Sequence, residues 1–350
     1  MLTKLSEANI IGAFISYIIG VFMVPFVIEF SQKEGLVDVP NDRKIHTAPI
    51  SRLGGIAIWS STMLTFLFLV LLSYYPYGNL LSGILLGGSL MFLLGLIDDV
   101  YNLDAKFKLI IQLSIATIVY LLGVQIDTIF NPFGGIIHLG IFSYPITLLW
   151  IVGISNAVNF IDGVDGLAGS VITVSSITLA LIAVSITPAQ PITALIAFIL
   201  AGSMLAFLTF NFNPAKIFMG DSGALFSGFL LATLSIAGVM KGAALAVLLP
   251  FLILAVPIID ITFSSLRRIM KGTSPFVADS EHIHHKLLKA GFSQKKTVAI
   301  LTSVAIAGGA LATYFTGTLK NYFVYIIVLI LIMIILSIFS VKTKKEKEQN

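Results

Sequence analysis

Two adjacent aspartates, Asp98 and Asp99, end an apolar run of membrane-spanning length in the segment GLIDDVYNLDAKFKL. At a membrane edge, neighbouring carboxylates repel each other and lose hydration, so a cation or a proton must neutralise them. A magnesium site or a general base would do so, whereas a solvated helix end would leave the pair without a chemical role. Asn102 and Lys108 follow in the same segment. The pattern alone leaves these alternatives open.

A second polar cluster has Asn156, Asn159, Asp162 and Asp165 spaced by three residues in the segment SNAVNFIDGVDGLAGS. In a helix this spacing lines one face, and the interleaved glycines allow a ligand to approach the backbone closely. Amide and carboxylate oxygens suit magnesium or the edge of a nucleobase. A glycine-rich turn would also explain the composition, but dense polar groups at membrane depth favour a functional site.

A further acidic residue, Asp221, follows Gly220 in NFNPAKIFMGDSGALF, directly before another apolar run. At a helix N-terminus an aspartate can cap the free backbone N–H groups. A helix N-terminus also attracts phosphates, which a metal held by the aspartate could bridge. The sequence does not separate these two roles.

Three histidines, His282, His284 and His285, lie among lysines and arginines before the last apolar runs. A single HIHH tract is weak support for zinc, which needs convergent ligands that include a carboxylate. Recognition of phosphate by His, Lys and Arg fits the neighbouring charges better. A solvated loop is the alternative that involves no ligand.

The first polar loop, DVPNDRKIHTAPISRLGG, carries Asn41, Arg43, Lys44 and His46 between prolines that stiffen it. Such side chains could bind the phosphates of a nucleotide or of an anionic lipid. Their positive charge would equally well set the orientation of the chain in a membrane.

The elements that must position these groups are overwhelmingly apolar. Of the 350 residues, 57% are hydrophobic and 11% are charged, and the mean hydropathy is +1.01, which places the chain in a lipid bilayer. The net charge of +4 comes from short stretches and forms no basic face, which argues against binding of nucleic acid. Because cysteine is absent, disulfides and thiolate catalysis are excluded, and any metal must be held by oxygen or histidine.

The apolar runs predict an all-α, polytopic membrane protein with about eleven transmembrane helices and active-site loops at the cytoplasmic face. We expect one transmembrane domain over residues 1–350, ending in a short basic tail at 341–350. The runs lie at about residues 8–30, 54–73, 80–97, 107–124, 141–158, 169–187, 190–209, 222–239, 243–263, 297–315 and 322–340.

The lysines and arginines predict the orientation of these helices. With eleven helices, all of these residues except Lys4, Lys241 and Lys320 lie on one side of the membrane. The positive-inside rule then places the N-terminus outside and the C-terminus in the cytoplasm, together with the acidic segments and the histidine tract. The first apolar run lacks a signal-peptide cleavage pattern and is expected to remain as a helix.

Five motifs, in this order, resemble the polyprenyl-phosphate N-acetylhexosamine 1-phosphate transferase superfamily (glycosyltransferase family 4) and, within it, the bacterial WecA and TagO type. They span nearly the whole chain and are DVPNDRKIHTAPISRLGG, GLIDDVYNLDAKFKL, WIVGISNAVNFIDGVDGLAGS, FNFNPAKIFMGDSGALF and HIHHKLL.

The resemblance implies transfer of GlcNAc 1-phosphate from UDP-GlcNAc to undecaprenyl phosphate, with release of UMP and with Mg²⁺ or Mn²⁺ as cofactor. The setting would be the cytoplasmic face of the bacterial plasma membrane, and the product would begin a cell-wall polymer such as teichoic acid or O-antigen. A phospho-MurNAc-pentapeptide donor or another UDP-N-acetylhexosamine is the alternative. Monomer and homodimer both stay open.

The resemblance also implies roles for individual residues. Asp98 and Asp99 match an acidic pair that activates the acceptor or binds the metal, Asp221 matches a metal ligand, and Asn159 matches the amide beside that metal. The three histidines match a motif that approaches the sugar and the phosphates. Assigned to substrate binding are Asp165 at the uracil, Lys108 at the phosphates, and Asp162, Asn156, Asn102, Asn41, Arg43, Lys44 and His46.

Two other classes of membrane protein explain parts of the sequence. An aromatic prenyltransferase would need a second aspartate-rich motif late in the chain, where only the isolated residues Asp260, Asp279 and Glu281 occur. A secondary transporter would place its polar groups near the membrane midplane, commonly within inverted repeats. Here the polar groups cluster at one face, which disfavours transport.

Overall fold

A computed structural model describes residues 2–38, 49–72, 78–130, 135–186, 188–240, 248–270, 272 and 282–318. Within these ranges the chain is predominantly helical, as predicted. The helices are α1 (Leu2–Lys33), α2 (Gly54–Leu71), α3 (Asn79–Tyr101), α4 (Ala105–Leu121), α5 (Ser143–Ile161), α6 (Leu167–Ser185), α7 (Pro191–Asn211), α8 (Gly220–Leu234), α9 (Leu248–Ile253), α10 (Ala255–Met270), α11 (Ile283–Lys289) and α12 (Gln294–Phe315).

Eight helices in the described ranges are long and apolar enough to cross a membrane, which confirms a polytopic all-α membrane protein. These are α1, α2, α3, α5, α6, α7, α8 and α12. Helix α4 coincides with the predicted run at 107–124 and, at 17 residues, is slightly shorter than these spans. The span that contains α8 runs from Gly220 to Gly238 and includes π-helical residues that follow α8. The predicted run at 322–340 and the basic tail lie outside the described residues.

In its described part, the run at 243–263, predicted as one helix, is divided in the structure. Two helices, α9 and α10, are separated at Leu254, and short α11 follows on the last polar loop. Pro257 has no N–H to donate to the carbonyl of Ile253, which interrupts the helical hydrogen bonding at this point. Apolar character alone did not reveal the break because both halves are hydrophobic.

Helix α8 lies at the centre of the bundle, with α2, α3 and α5 packed around it. Its residues from Ser222 to Leu234 are all buried. Glycines on the neighbouring helices allow this: a Cβ on Gly95 of α3 would lie 2.5 Å from the carbonyl of Asp221, and a Cβ on Gly55 of α2 would lie 2.3 Å from the backbone nitrogen of Gly223. Two helices therefore pack directly against the first turn of α8.

The described structure also contains a 3₁₀ helix (Gly140–Phe142), a π-helix (Ser235–Met240) and two short antiparallel hairpins. The hairpins pair β1 (Val37–Asp38) with β2 (Ile50–Ser51) and β3 (Thr128–Phe130) with β4 (Ile136–His138). The backbone N–H of Phe218 donates to the carbonyl of Ser51 over 2.7 Å, and Ser51 also bridges Ile217. The end of the first polar loop is thereby held beside the segment that leads into α8.

Candidate active site

Four helix ends bring together polar side chains that are far apart in the sequence. The ammonium of Lys108, in the first turn of α4, lies 2.7 Å from Asp98 Oδ2 and 2.6 Å from Asp221 Oδ2. The amide of Asn159, near the end of α5, donates to Asp221 Oδ2 over 3.1 Å. Asp98 lies in the last turn of α3 and Asp221 in the first turn of α8, so this cluster lies at one end of the helix bundle.

Asp98 and Asp99 face different partners although they are neighbours in the sequence. Asp99 Oδ1 accepts from the backbone N–H of Asp221 at 2.7 Å, and its Oδ2 accepts from the N–H and hydroxyl of Ser222 at 3.0 and 2.7 Å. Asp99 thus caps the N-terminus of α8 from another helix, where free N–H groups and the helix dipole favour a negative charge. The carboxylate of Asp98 faces Lys108 instead.

A tight turn between α3 and α4 positions Asp98 and Lys108. Asn102, the C-cap of α3, adopts the left-handed conformation (φ 51°) that asparagine tolerates better than most residues. Asp98 Oδ1 accepts from the N–H of Leu103, and Asp104 caps α4 through the N–H groups of Lys106 and Phe107. In the structure Asn102 therefore forms part of the turn. Its assignment to substrate binding stays a prediction.

Asp162 and Asp165 lie between α5 and α6, beside the cluster. Burial raises the pKa of the Asp162 carboxyl well above its ordinary value, and the nearby carboxylates of Asp221, Asp99 and Asp165 raise it further. Asp165 accepts hydrogen bonds from Asn213 Nδ2 at 3.0 Å and from the N–H of Ala215 at 3.1 Å. It also lines a mainly apolar cavity of about 640 Å³ between α6 and α12.

Asn156 lies one helical turn before Asn159 and is paired with Gln112 of α4. The two side-chain amides exchange hydrogen bonds of 2.7 and 3.3 Å. This amide pair joins α4 to α5 one turn below Lys108 and occupies both ends of the Asn156 amide. Its assignment to substrate binding stays a prediction, and the observed contacts are those of a helix-positioning group.

The three histidines pack closely on α11 and at its start. The rings of His282 and His284 are nearly parallel, with centroids 5.8 Å apart, and those of His284 and His285 are 4.2 Å apart. His282 also stacks on Phe160, which follows Asn159 in α5. Among the described residues no three His, Cys, Asp or Glu side chains converge as a metal site.

His284 is a buried imidazole whose Nε2 has no hydrogen-bond partner among the described residues. This nitrogen faces Gly163, because a Cβ built on Gly163 would lie 2.5 Å from it. Burial lowers the pKa of His284 to about 4, and the neighbouring His285 and His282 lower it further, whereas Asp260 raises it. At neutral pH His284 is therefore an uncharged ring packed against the glycine turn between α5 and α6.

We expect stability to fall as pH is lowered from 6.5 towards 4, because across this range the unfolded chain binds a proton at His284 and the folded chain does not. Between pH 6.5 and pH 4, His284 alone is expected to lower the free energy of unfolding by about 3 kcal/mol. Thermal unfolding of wild type and His284→Gln at pH 7 and pH 5 measures the effect, and the variant should lose less stability. The exposed His138→Gln serves as control. Equal losses in wild type and His284→Gln would contradict the expectation.

The oxygen atoms of the cluster fit a hard divalent cation. Asp98 Oδ2 and Asp221 Oδ2 converge on a single ammonium, and the Asn159 amide lies beside Asp221. Magnesium in proteins is commonly held by one or two carboxylates together with substrate phosphates and water. The position of the Lys108 ammonium marks where these carboxylates favour positive charge.

The structure brings together Asp98, Asp99, Lys108, Asn159 and Asp221, with Asp162 beside them. The histidines contact this region at two points: His282 stacks on Phe160, and Nε2 of His284 faces Gly163. Asn41, Arg43, Lys44 and His46 lie outside the described residues, and their assignments stay predictions. Sequence reasoning missed Asp260, Gln112 and Ser222 as contributors to the region, because each is recognised only through its partner in the fold.

A family model and several named proteins match this chain. The family model described as "Glycosyl transferase family 4" matches residues 81–239, which include the acidic pair and Asp221. A Bacillus subtilis protein named "Probable undecaprenyl-phosphate N-acetylglucosaminyl 1-phosphate transferase" is 36% identical over 296 residues, covering 84% of this chain and 81% of that protein.

Two further relatives cover even more of this chain. A Mycolicibacterium smegmatis protein named "Decaprenyl-phosphate N-acetylglucosaminephosphotransferase" is 31% identical over 90% of this chain and 83% of its own length. A Salmonella typhi "Undecaprenyl-phosphate alpha-N-acetylglucosaminyl 1-phosphate transferase" is 31% identical over 90% of this chain and 85% of its own. The chain belongs to glycosyl transferase family 4, in the superfamily of polyprenyl-phosphate N-acetylhexosamine 1-phosphate transferases.

Proposed function

We propose that this protein transfers GlcNAc 1-phosphate from UDP-GlcNAc to undecaprenyl phosphate and releases UMP. The names of the Bacillus and Salmonella relatives support this donor sugar and this acceptor. The reaction takes place at the cytoplasmic face of the bacterial plasma membrane, in keeping with the asymmetry of Lys and Arg along the chain. The product is the first lipid-linked intermediate of a cell-wall polymer such as teichoic acid or O-antigen.

The observation that carries the proposal is the convergence of Asp98, Lys108, Asn159 and Asp221 at the ends of four helices. Transfer of a phosphoryl group needs charge neutralisation and alignment more than covalent help from the protein. The cluster offers one ammonium and two carboxylates within hydrogen-bonding distance of one another. Its place at the end of the bundle suits a lipid acceptor that arrives from the bilayer and a nucleotide that arrives from water.

In the proposed reaction an oxygen of the lipid phosphate attacks the β-phosphorus of the donor. The new P–O bond forms as the bond from this phosphorus to the oxygen shared with the α-phosphate breaks, and that oxygen leaves with UMP. Lys108 neutralises phosphoryl oxygens, while Asp99 holds the first turn of α8 in place. Asp98, Asp221 and Asn159 would hold Mg²⁺ or Mn²⁺, which supplies further charge neutralisation when bound.

The test is release of UMP from UDP-GlcNAc by the detergent-purified protein with undecaprenyl phosphate and Mg²⁺. We expect release that stops when the lipid phosphate is omitted or when EDTA is added. Release only with another UDP-N-acetylhexosamine, or with UDP-MurNAc-pentapeptide, would change the donor and retain the reaction. If folded protein released no UMP from any of these donors, the transferase proposal would be wrong, and a flux assay in liposomes would then test transport.

Replacing Gly163 by alanine is expected to slow UMP release by roughly 10- to 100-fold, because displacing a positioned group by about 1 Å can cost that much in rate. The added Cβ would lie 2.5 Å from His284 Nε2 and 3.1 Å from its Cε1, so the histidine stack must move. Gly153→Ala on α5 is the matched control, because no atom lies within 4 Å of its Cβ position. Equal rates for Gly163→Ala and Gly153→Ala would show that the turn does not constrain the site.

A further inference from the structure

A buried contact between a carboxylate and an imidazole, outside the acidic cluster, joins α10 to the start of α11. The carboxylate of Asp260 is 2% exposed, and its Oδ2 lies 2.7 Å from Nδ1 of His282, whose side chain is 7% exposed. The two residues are 22 positions apart in the sequence. Because a buried carboxylate without a partner is costly, this contact constrains both side chains.

Both oxygens of the Asp260 carboxylate are used. Oδ2 faces the imidazole, while Oδ1 accepts from the backbone N–H of Ile283 at 2.7 Å, in the first turn of α11. The hydroxyl of Ser264, one turn further along α10, lies 3.4 Å from the same His282 nitrogen. One carboxylate thereby orients the ring of His282 and anchors the helix that carries His284 and His285.

The contact also selects which nitrogen of His282 carries the proton. An ionised carboxylate only accepts hydrogen bonds, so Nδ1 must donate and Nε2 is left for another partner. The rings of Phe160 and His284 also stack against the His282 ring, at centroid distances of 5.4 and 5.8 Å. Phe160 follows Asn159, so the clamped imidazole is connected through α5 to the acidic cluster.

We propose that Asp260 is a positioning residue that holds His282 with Nδ1 protonated and Nε2 directed to the phosphates of the donor. The assignment rests on the proposed transferase function. It adds a residue of α10 to the residues that support the transfer reaction. It also assigns a structural role to the break between α9 and α10. With the helix interrupted, α10 packs along α5 and brings its carboxylate to the histidine tract.

A double-mutant cycle in the UMP-release assay tests whether Asp260 acts through His282. Asp260→Asn should lower kcat by about 10- to 100-fold, as loss of a residue that orients a functional histidine does, with a smaller effect on KM. In a His282→Gln background the same substitution should have almost no further effect. Thr262→Ala, at an exposed position on the same helix, is the matched control and should stay near the wild-type rate.

Independent losses that multiply in the double variant would overturn the proposal, as would a wild-type rate for Asp260→Asn. If Asp260→Asn does not fold, Asp260→Glu replaces it, since glutamate retains the acceptor. That variant should keep more activity than Asp260→Ala if the hydrogen bond to His282 matters. Equal activity of the two folded variants would count against the proposed role.

A second readout does not depend on activity. In protein labelled with ¹⁵N-histidine, the His282 resonance is assigned by its disappearance in His282→Gln, and its ring shifts report which nitrogen bears the proton. We expect protonated Nδ1 in wild type and a changed tautomer balance in Asp260→Asn. Protonation at Nε2 alone in wild type would overturn the assignment. If the protein released no UMP from any donor, the transferase proposal would fall while these shifts still decided the pairing of Asp260 with His282.

Discussion

Asp221→Asn is expected to slow UMP release by roughly 10²- to 10³-fold while leaving the fold intact. Asparagine has the shape of aspartate but removes the negative charge that faces Lys108 at 2.6 Å. The backbone N–H of Asp221, which anchors α8 to Asp99, is unchanged by the substitution. Initial rates of UMP release at saturating substrates, together with the apparent Tm, measure the two effects separately.

The matched control is Asp104→Asn. Asp104 is exposed, caps α4 through backbone N–H groups and takes no part in the cluster, and asparagine caps helices about as well as aspartate. Its activity and stability should therefore stay close to wild type. Titration with Mn²⁺, followed by electron paramagnetic resonance, should show weaker binding to Asp221→Asn. Wild-type UMP release by Asp221→Asn would remove this residue from the proposed site.

Substitutions of the two adjacent aspartates are expected to differ in their effects on activity and on stability. Asp98→Asn should reduce UMP release by roughly 10²-fold, because it removes a charge that faces Lys108, and it should change the apparent Tm little. Asp99→Asn should lower both quantities. Its amide would turn an NH₂ group towards donors of Asp221 or Ser222, leaving buried N–H or O–H groups unpaired at a cost of about 3 kcal/mol.

The measurement is thermal unfolding and UMP release for both variants in the same detergent. Asp99→Ser tests the explanation further, because a short hydroxyl cannot replace a carboxylate that accepts three hydrogen bonds and should be at least as destabilising. If Asp98→Asn lowered the apparent Tm as much as Asp99→Asn, the division of roles between the two carboxylates would be wrong.

Most of the helix pattern was predictable because membrane helices depend on a local property. Spanning requires about 20 predominantly apolar residues with internally satisfied backbone hydrogen bonds, and this can be recognised in a short window. The run at 243–263 shows the limit of that reasoning. Pro250 and Pro257 are visible in the sequence, but whether a proline kinks or divides a helix depends on what packs against it.

The candidate site was predictable in outline and not in detail. Runs of Asp, Asn and His at the ends of apolar segments indicated where chemistry could occur. Four of these side chains meet at the start of α8 together with Lys108, namely Asp98, Asp99, Asn159 and Asp221. Asp260 could not be recognised in this way, since its partner His282 lies 22 positions further along the chain. Asn156 also matched the motif, yet its amide is paired with Gln112.

The sequence by itself determined that the chain is a helical membrane protein of this superfamily with polar chemistry at one face, because composition and motif order are properties of the chain alone. Only the tertiary structure decided that Asp98 faces Lys108 while Asp99 caps α8, and that Asp260 orients His282. Adjacent residues on a helix point about 100° apart, so the partner of each depends on which neighbouring helix lies in that direction. Close approach at Gly55 and Gly95 sets that direction here.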